Sequence, residues 1–191
     1  MKEKKSKGNR LAEDAVSEVY FWGKTLSVAL IVLILCNTFF LRISTVSGDS
    51  MNPTLRNMDQ LILQISGYNT DTNPPARGDI VVLVTDEFGR NRPLVKRIIG
   101  VAGDVIDITT DGHISINGVV QTEEYISEPI SPSERGTVSY PYTVSEGHIF
   151  VIGDNRNFSY DSRNLGEVSC SDVIGKAIFR IWPLNHLGGV K

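Results

Sequence analysis

The sequence predicts a mainly β fold, in which an antiparallel β-sheet domain follows one N-terminal transmembrane α-helix. Two observations support this prediction. Residues 25 to 41, TLSVALIVLILCNTFFL, carry no charge, and the rest of the chain has short runs rich in Val and Ile that are separated by turn residues. The chain has 191 residues, which is enough for one domain of roughly 150 residues and an anchor.

The uncharged run is long enough to cross the hydrocarbon core of a bilayer as a helix, since that core is about 30 Å thick. Lys24 and Arg42 flank the run, and the aromatic residues 20 to 22 precede it, as is typical of a membrane interface. A cleaved signal sequence would have a shorter core and small residues at its exit, and a buried core helix would show a polar stripe. We therefore expect a retained anchor.

Charge predicts the orientation of this anchor. Residues 1 to 42 carry seven Lys or Arg and four Asp or Glu, whereas residues 43 to 191 carry twelve and eighteen. Because the basic flank of a span stays in the cytoplasm, we expect a cytoplasmic basic tail over residues 1 to 24, a transmembrane anchor over 25 to 41 and an extracytoplasmic domain over 42 to 191. No basic block is long enough to follow a phosphate backbone, so no nucleic-acid partner is expected.

The domain after the anchor is predicted to consist of short strands. They are residues 60 to 65, 79 to 84, 93 to 101, 104 to 108, 113 to 116, 118 to 121, 148 to 153 and 177 to 182. Asp111-Gly112 and Asn117-Gly118 favour the turns of tight hairpins, so residues 104 to 121 should form a meander. Residues 67 to 78 and 127 to 142 are rich in Pro and Gly or Ser, which predicts two loops.

The histidines do not favour a Ser-His-Asp triad. His113 and His148 lie beside predicted hairpin turns, and His186 lies in a Gly-rich tail. The chain also has no HExxH motif, no paired CxxC motif and no Gly-rich phosphate loop, so we expect neither a metal nor another cofactor.

A serine without a histidine needs another base, and a lysine can act as one only when it is neutral. The pKa of a lysine, about 10.4 in model peptides, must then fall by roughly 3 units, which burial among apolar side chains can achieve. Lys96 fits this requirement best, because it lies in the strand-forming run PLVKRIIG. The alternative is a lysine that extends along the edge of a strand to reach water.

Four segments together resemble the conserved boxes of bacterial type I signal peptidases, in the same order and with the same spacing. The segments are SGDSMNPTL (47 to 55), RGDIVVL (77 to 83), LVKRIIGVAGD (94 to 104) and GHIFVIGDNRNFSYDSR (147 to 163). The resemblance, which is greatest to the shorter Gram-positive type, implies a β-sheet catalytic domain of signal peptidase type. It also implies a Ser/Lys serine endopeptidase of the bacterial cell membrane that removes signal peptides from secretory preproteins after small-x-small sites. The expected partners are these preproteins, the lipid bilayer and the protein translocation machinery.

The resemblance implies a role for each matching residue. Ser50 would be the nucleophile, and Lys96 the general base that takes its proton and later supplies one to the departing amine. Ser159 matches a serine that hydrogen-bonds the lysine ammonium. Some family members stabilise the oxyanion with a serine two residues before the nucleophile, but this position is Gly48 here. The oxyanion hole would then consist of the backbone N–H of Ser50 and the backbone at Gly48.

Five further residues match structural positions of the family. Gly153 would allow a close backbone approach beside the lysine. Arg97 would pair with Asp154, and Asp161 with Arg163, as supports without a catalytic role.

Val46, Leu55 and Val95 match the walls of the shallow pockets for the two small substrate residues, and Met51 is expected to touch lipid. Two alternatives remain. One is a membrane-tethered binding module that has the fold without the activity, and the other is a self-cleaving repressor-type Ser/Lys protease. The membrane span and the lack of a DNA-binding domain argue against the second alternative.

Overall fold

The fold is described from a computed structural model that covers residues 2–39, 41–65, 75–85 and 92–190. Side chains are described within these ranges for residues 16–34, 41–65, 75–84 and 93–190. Most of the predicted loop at 67 to 78 lies outside the described residues. Contacts divide the chain into two compact units, residues 1–40 and 41–191, and each is described by itself.

The first unit contains helix α1, Lys2–Phe39. Its segment Val16–Ile34 has a mean hydropathy of 1.4 and is long and apolar enough to cross a membrane, and none of it is buried within the protein. The helix includes the predicted basic tail as well as most of the predicted anchor, whereas Leu41 already belongs to the first strand. The division of this region into a tail and an anchor stays a prediction.

The second unit is mainly β, which confirms the predicted fold class. Its strands among the described residues are β1 Leu41–Thr45, β2 Gln60–Gln64, β3 Ile80–Thr85, β4 Arg92–Val101, β5 Val105–Ile108, β6 Ile114–Ile116, β7 Val119–Val120, β8 Tyr142–Thr143, β9 His148–Ile152, β10 Val168–Ser169, β11 Val173–Trp182 and β12 Gly188–Gly189. A short helix, α2, covers Ser162–Leu165.

The strands form two antiparallel sheets. The larger sheet has the order β1-β2-β11-β3-β4-β9-β10, with β12 paired to β11, and the smaller has the order β7-β6-β5-β8. The predicted meander is confirmed, because β5 pairs with β6 and β6 with β7. Its second turn has positive φ at Asn117 and Gly118, as a tight hairpin requires.

Apolar side chains are buried on both faces of the large sheet. Alternate residues of β3 show this, because successive side chains of a strand point to opposite faces. Ile80 and Val82 pack in one cluster, whereas Val81 and Leu83 pack in another. Strand β4 pairs with β3, and Lys96 of β4 lies opposite Val81 of β3. Lys96 is therefore placed next to a strand that is buried on both faces.

The expectation that Met51 touches lipid is wrong. Met51 is only 1% exposed and packs in the same cluster as Leu55 and Leu61. The apolar residue of this polar segment therefore points inward and anchors the segment to the sheet.

Candidate active site

Ser50 lies in a turn that connects β1 to β2 (residues 46–59), which we call the nucleophile turn after the role expected for Ser50. Hydrogen bonds close its base, since Val46 N donates to Asp59 O at 2.8 Å and Met58 N to Val46 O at 2.9 Å. The pairing of Thr45 with Gln60 continues this ladder into the sheet. The nucleophile turn is thus held at its base by strand pairing, while Ser50 remains half-buried.

Lys96 reaches Ser50 from strand β4. The distance between Lys96 Nζ and Ser50 Oγ is 2.7 Å, although the two residues are 46 positions apart in the chain. The Lys96 side chain is almost fully buried. The expected nucleophile and base are therefore within hydrogen-bond distance, as proton transfer requires.

Burial lowers the pKa of Lys96 from 10.5 to about 8. The carboxylates of Asp161 and Asp154 act in the opposite direction, and the guanidinium of Arg163 lowers the pKa further. With this pKa, about one-tenth of the Lys96 side chains are neutral at pH 7. That fraction can accept the proton of Ser50.

Ser159 does not make the expected hydrogen bond to Lys96. Its Oγ is buried and has no hydrogen-bond partner among the described residues, and the hydrogen bond of Lys96 Nζ goes to Ser50 Oγ. The hydroxyl lies against Gly153, where a Cβ would be 2.3 Å from Ser159 Oγ and 2.4 Å from Ser50 O. Only glycine therefore fits at position 153, between the segments that carry Ser50 and Ser159.

The two expected ion pairs are present in the geometry of the site. Arg97 and Asp154 share two hydrogen bonds, with Nε to Oδ1 at 2.8 Å and Nη2 to Oδ2 at 2.7 Å. Arg163 Nε donates to Asp161 Oδ1 at 2.8 Å, and Gly153 N donates to the other oxygen of Asp161 at 3.0 Å. These four charged residues are buried, so the pairs hold the segment after β9 in place.

The expected oxyanion donors differ in their partners. Gly48 has a φ of +96°, and its N–H donates to Asn57 Oδ1 at 3.1 Å. Ser50 N–H donates to no backbone carbonyl among the described residues. Of the two candidates, the Gly48 N–H is thus bound to a side-chain oxygen, whereas the Ser50 N–H has no acceptor among the described residues.

The three expected pocket residues lie in one apolar cluster. Val46 and Leu55 are buried in it, and the half-buried Val95 packs against it. Val46 and Leu55 have almost no exposed surface, so they lie beneath the surface, and their role as pocket walls stays a prediction.

The prediction from sequence missed a second buried charge cluster. Arg156 donates to both carboxylate oxygens of Glu123, at 2.8 and 2.6 Å, and both side chains are buried. The ring of Tyr125 lies 3.9 Å from the Arg97 guanidinium, and its hydroxyl donates to Glu123 at 2.7 Å. Glu123 lies outside the four segments, so no motif signals this pairing.

Asn155 was also missed, although it lies within the last segment. Its backbone N donates to Ser50 O and its side-chain Nδ2 to Asp49 O, each at 3.0 Å. An Asn in a polar loop is typical of a turn, and only the folded structure shows that it contacts the nucleophile turn.

The family model "Signal peptidase, peptidase S26" matches residues 19–182. The chain belongs to the signal peptidase family. It is 36% identical to signal peptidase I of Leptolyngbya laminosa over 171 residues, which are 86% of this chain and 80% of that protein. It is 29% identical to signal peptidase IB of Staphylococcus aureus (strain COL) over 182 residues, 88% of this chain and 92% of that protein.

Among solved structures, the chain is similar to a crystal structure of a signal peptidase I from Enterococcus faecalis V583, with 32% sequence identity and a TM-score of 0.45. The match covers 55% of this chain and 97% of that one. As a signal peptidase, the protein is a serine peptidase that removes signal peptides from secretory preproteins.

Proposed function

We propose that this signal peptidase is a membrane-bound endopeptidase that cleaves after small-x-small sites, with Ser50 as nucleophile and Lys96 as general base. The observation that carries the proposal is the 2.7 Å contact between Lys96 Nζ and Ser50 Oγ. A lysine that is buried and has a pKa of about 8 is well suited to accept a proton from a serine.

The reaction follows from this contact. Neutral Lys96 accepts the hydroxyl proton of Ser50 while Oγ attacks the scissile carbonyl carbon, and the Ser50 N–H stabilises the oxyanion. The Lys96 ammonium then donates a proton to the departing amine, which leaves an acyl group on Ser50. Lys96 next takes a proton from water, the resulting hydroxide attacks the ester carbon, and the Lys96 ammonium returns the proton to Ser50 Oγ as it leaves.

The free edge of β4 supports an extended binding mode for the substrate. Strand β4 pairs with β3 from Arg92 to Arg97, but with β9 only from Arg97 to Val101. Residues 93–96 therefore have one strand partner among the described residues. A peptide that pairs with this edge would be held by main-chain hydrogen bonds, and its scissile bond would lie near Lys96.

The match of Val46, Leu55 and Val95 to the pocket positions of the family supports the preference for small residues, and the half-buried Val95 packs against the cluster that contains the other two. Because Val46 and Leu55 are only 3% and 0% exposed, the contact with a small substrate side chain would be made chiefly by Val95.

Helix α1 supports attachment to the membrane through residues 16–34. The basic excess of residues 1 to 42 and the acidic excess of residues 43 to 191 support an N-terminus in the cytoplasm and a catalytic domain outside. In this arrangement the protein is single-pass in the bacterial cell membrane. The bilayer and the translocation machinery would present the preprotein to it.

Cleavage of a preprotein by the full-length protein in lipid vesicles tests the dyad. We expect Ser50→Ala and Lys96→Ala to lower turnover at least about 1,000-fold, by analogy with the loss of a catalytic serine or histidine in other serine proteases. Lys176→Ala is the matched control, because Lys176 is half-exposed and pairs with Asp79.

Near-normal turnover by Lys96→Ala would exclude the dyad. A Ser50→Ala protein with all functions of the wild type would favour the membrane-tethered binding module. Preproteins in which one small residue of the site is replaced by Phe or Lys should remain uncleaved, and their efficient cleavage would exclude the small-x-small preference.

A further inference from the structure

Asn155 contacts two consecutive carbonyl groups of the nucleophile turn. Its Nδ2 donates to Asp49 O and its backbone N to Ser50 O, each at 3.0 Å. Asp49 O accepts a second hydrogen bond, from Asn52 N at 3.1 Å. One residue from the segment after β9 therefore holds the peptide groups on both sides of Ser50.

The geometry of the peptide bond links these contacts to the oxyanion hole. In a planar trans peptide the C=O of one residue and the N–H of the next point in opposite directions. The carbonyl of Asp49 and the N–H of Ser50 belong to the same peptide group. A hydrogen bond that fixes the direction of Asp49 O therefore also fixes the direction of the Ser50 N–H.

We propose that Asn155 is a positioning residue for transition-state stabilisation: its carboxamide holds the Asp49–Ser50 peptide so that the Ser50 N–H points at the oxygen of the scissile carbonyl. Asn155 does not touch the reacting atoms. The inference rests on the proposed function, because it requires Ser50 to be the nucleophile.

The neighbours of Asn155 make it a rigid support. Asp154, directly before it, is paired with Arg97, and Arg156, directly after it, is paired with Glu123. Both pairs are buried, so the backbone on each side of Asn155 is held by charged hydrogen bonds. A side chain on such a backbone can fix the direction of another group within a small angle.

The carboxamide is also chemically specific for this contact. The Nδ2 group supplies the N–H that Asp49 O accepts. An aspartate of the same size has no donor when ionised, and it would place a carboxylate oxygen against a carbonyl oxygen. Asn155→Asp should therefore disturb the Asp49–Ser50 peptide more than Asn155→Ala does.

Asn157 provides a matched control in the same loop. Its Nδ2 donates to Glu128 Oε2 and Pro129 O, both at 3.2 Å, and its Oδ1 accepts from Ser131 N at 2.9 Å. Asn157 thus has the same side chain and more hydrogen bonds, but these contacts do not reach the nucleophile turn.

The experiment measures kcat and KM of the full-length protein in detergent with a peptide that contains a signal-peptide cleavage site. We expect kcat to fall about 10-fold or more in Asn155→Ala and further in Asn155→Asp, because loss of a complete oxyanion donor costs about 100- to 1,000-fold. KM should stay within about twofold of the wild type, since the interaction acts in the transition state. Asn157→Ala should keep the wild-type kcat.

A peptide aldehyde gives a second readout. Ser50 Oγ bonds to the aldehyde carbon, the serine proton passes to Lys96, and the aldehyde oxygen takes the position of the oxyanion. Its inhibition constant should rise by the factor by which kcat/KM falls. The pH midpoint of kcat/KM should not change, because no contact between Asn155 and Lys96 is needed for the effect.

Several outcomes would overturn the inference: a wild-type kcat in Asn155→Ala, an effect on KM alone, an equal loss in Asn157→Ala, or a shifted pH midpoint. If Asn155→Ala does not melt cooperatively, the isosteric Asn155→Asp gives the same test. The proposed function is tested separately by the loss of cleavage in Ser50→Ala. If Ser50→Ala abolishes cleavage but Asn155→Ala keeps the wild-type kcat, only the inference about Asn155 is overturned.

Discussion

Replacement of Lys96 by Met should stabilise the protein at neutral pH and abolish cleavage. A pKa lowered from 10.5 to about 8 means that the protonated lysine is less stable in the folded protein than in the unfolded chain by roughly 3 kcal/mol, since one pH unit corresponds to about 1.4 kcal/mol. Met fills a similar volume without a charge. Loss of the hydrogen bond between Lys96 and Ser50 offsets about 1 kcal/mol of this gain.

The net gain at pH 7 is therefore about 2 kcal/mol, which raises the melting temperature by roughly 4 to 8 °C in a domain of about 150 residues. The gain should depend on pH. Below pH 8 both the folded and the unfolded chain carry the proton on Lys96, so the full destabilisation is present. Between pH 8 and 10.5 only the unfolded chain keeps the proton, and the wild type becomes more stable as the pH rises.

The assay is thermal unfolding of the full-length proteins in detergent at pH 7 and at pH 10, followed by circular dichroism. Lys96→Met should melt above the wild type at pH 7, and most of this advantage should be gone at pH 10. Lys176→Met is the control, because Lys176 is half-exposed and paired with Asp79, and it should not stabilise the protein at either pH. A Lys96→Met protein that melts below the wild type at pH 7, or a difference that does not change with pH, would refute the reasoning.

Three further predictions concern the same site. Because neutral Lys96 is the active form in the proposed mechanism, kcat/KM should rise with pH through a midpoint near 8, and a midpoint near 10 would contradict the role of burial. Gly153→Ala should lower kcat about 100-fold, since a Cβ 2.4 Å from Ser50 O must displace Ser50, the proposed nucleophile, and a normal rate would contradict the close approach. Glu123→Gln should lower the free energy of unfolding in urea by about 3 to 5 kcal/mol, because Arg156 is left buried without a counter-ion. A loss below about 1 kcal/mol would contradict that reading.

The strands that could be predicted from the sequence are those with a Val- and Ile-rich run between turn residues. Strand β1 was not predicted, because it follows the apolar run without a turn signal, and β8, β10 and β12 are too short to show a period. The first half of β11 was also missed. Gly175 interrupts its pattern, yet the residue is required there, since a Cβ would lie 2.6 Å from Gln64 O of the adjacent strand.

For the site, the sequence indicates the kinds of residue but not their contacts. Ser50 is indicated by a polar turn that begins five residues after the apolar run and resembles a known box, and Lys96 by its position as a lysine in an apolar run; their catalytic roles stay proposals. The inward position of Met51 and the hydrogen bonds of Asn155 depend on side chains that meet only in the folded domain. No periodicity or local spacing encodes such contacts.

The buried ion pairs around Lys96 have an electrostatic role as well as a structural one. The carboxylates of Asp154 and Asp161 each raise the pKa of Lys96, and the guanidinium of Arg163 lowers it. Each aspartate is bound by an arginine through two hydrogen bonds, so the lysine faces paired charges and burial dominates its pKa. An aspartate without its arginine would stabilise the ammonium and leave less neutral amine at pH 7. A lysine base therefore requires surroundings without net negative charge. Ion pairs that hold the loop after β9 meet this requirement only when an arginine pairs with each carboxylate near Lys96, as Arg97 does with Asp154 and Arg163 with Asp161.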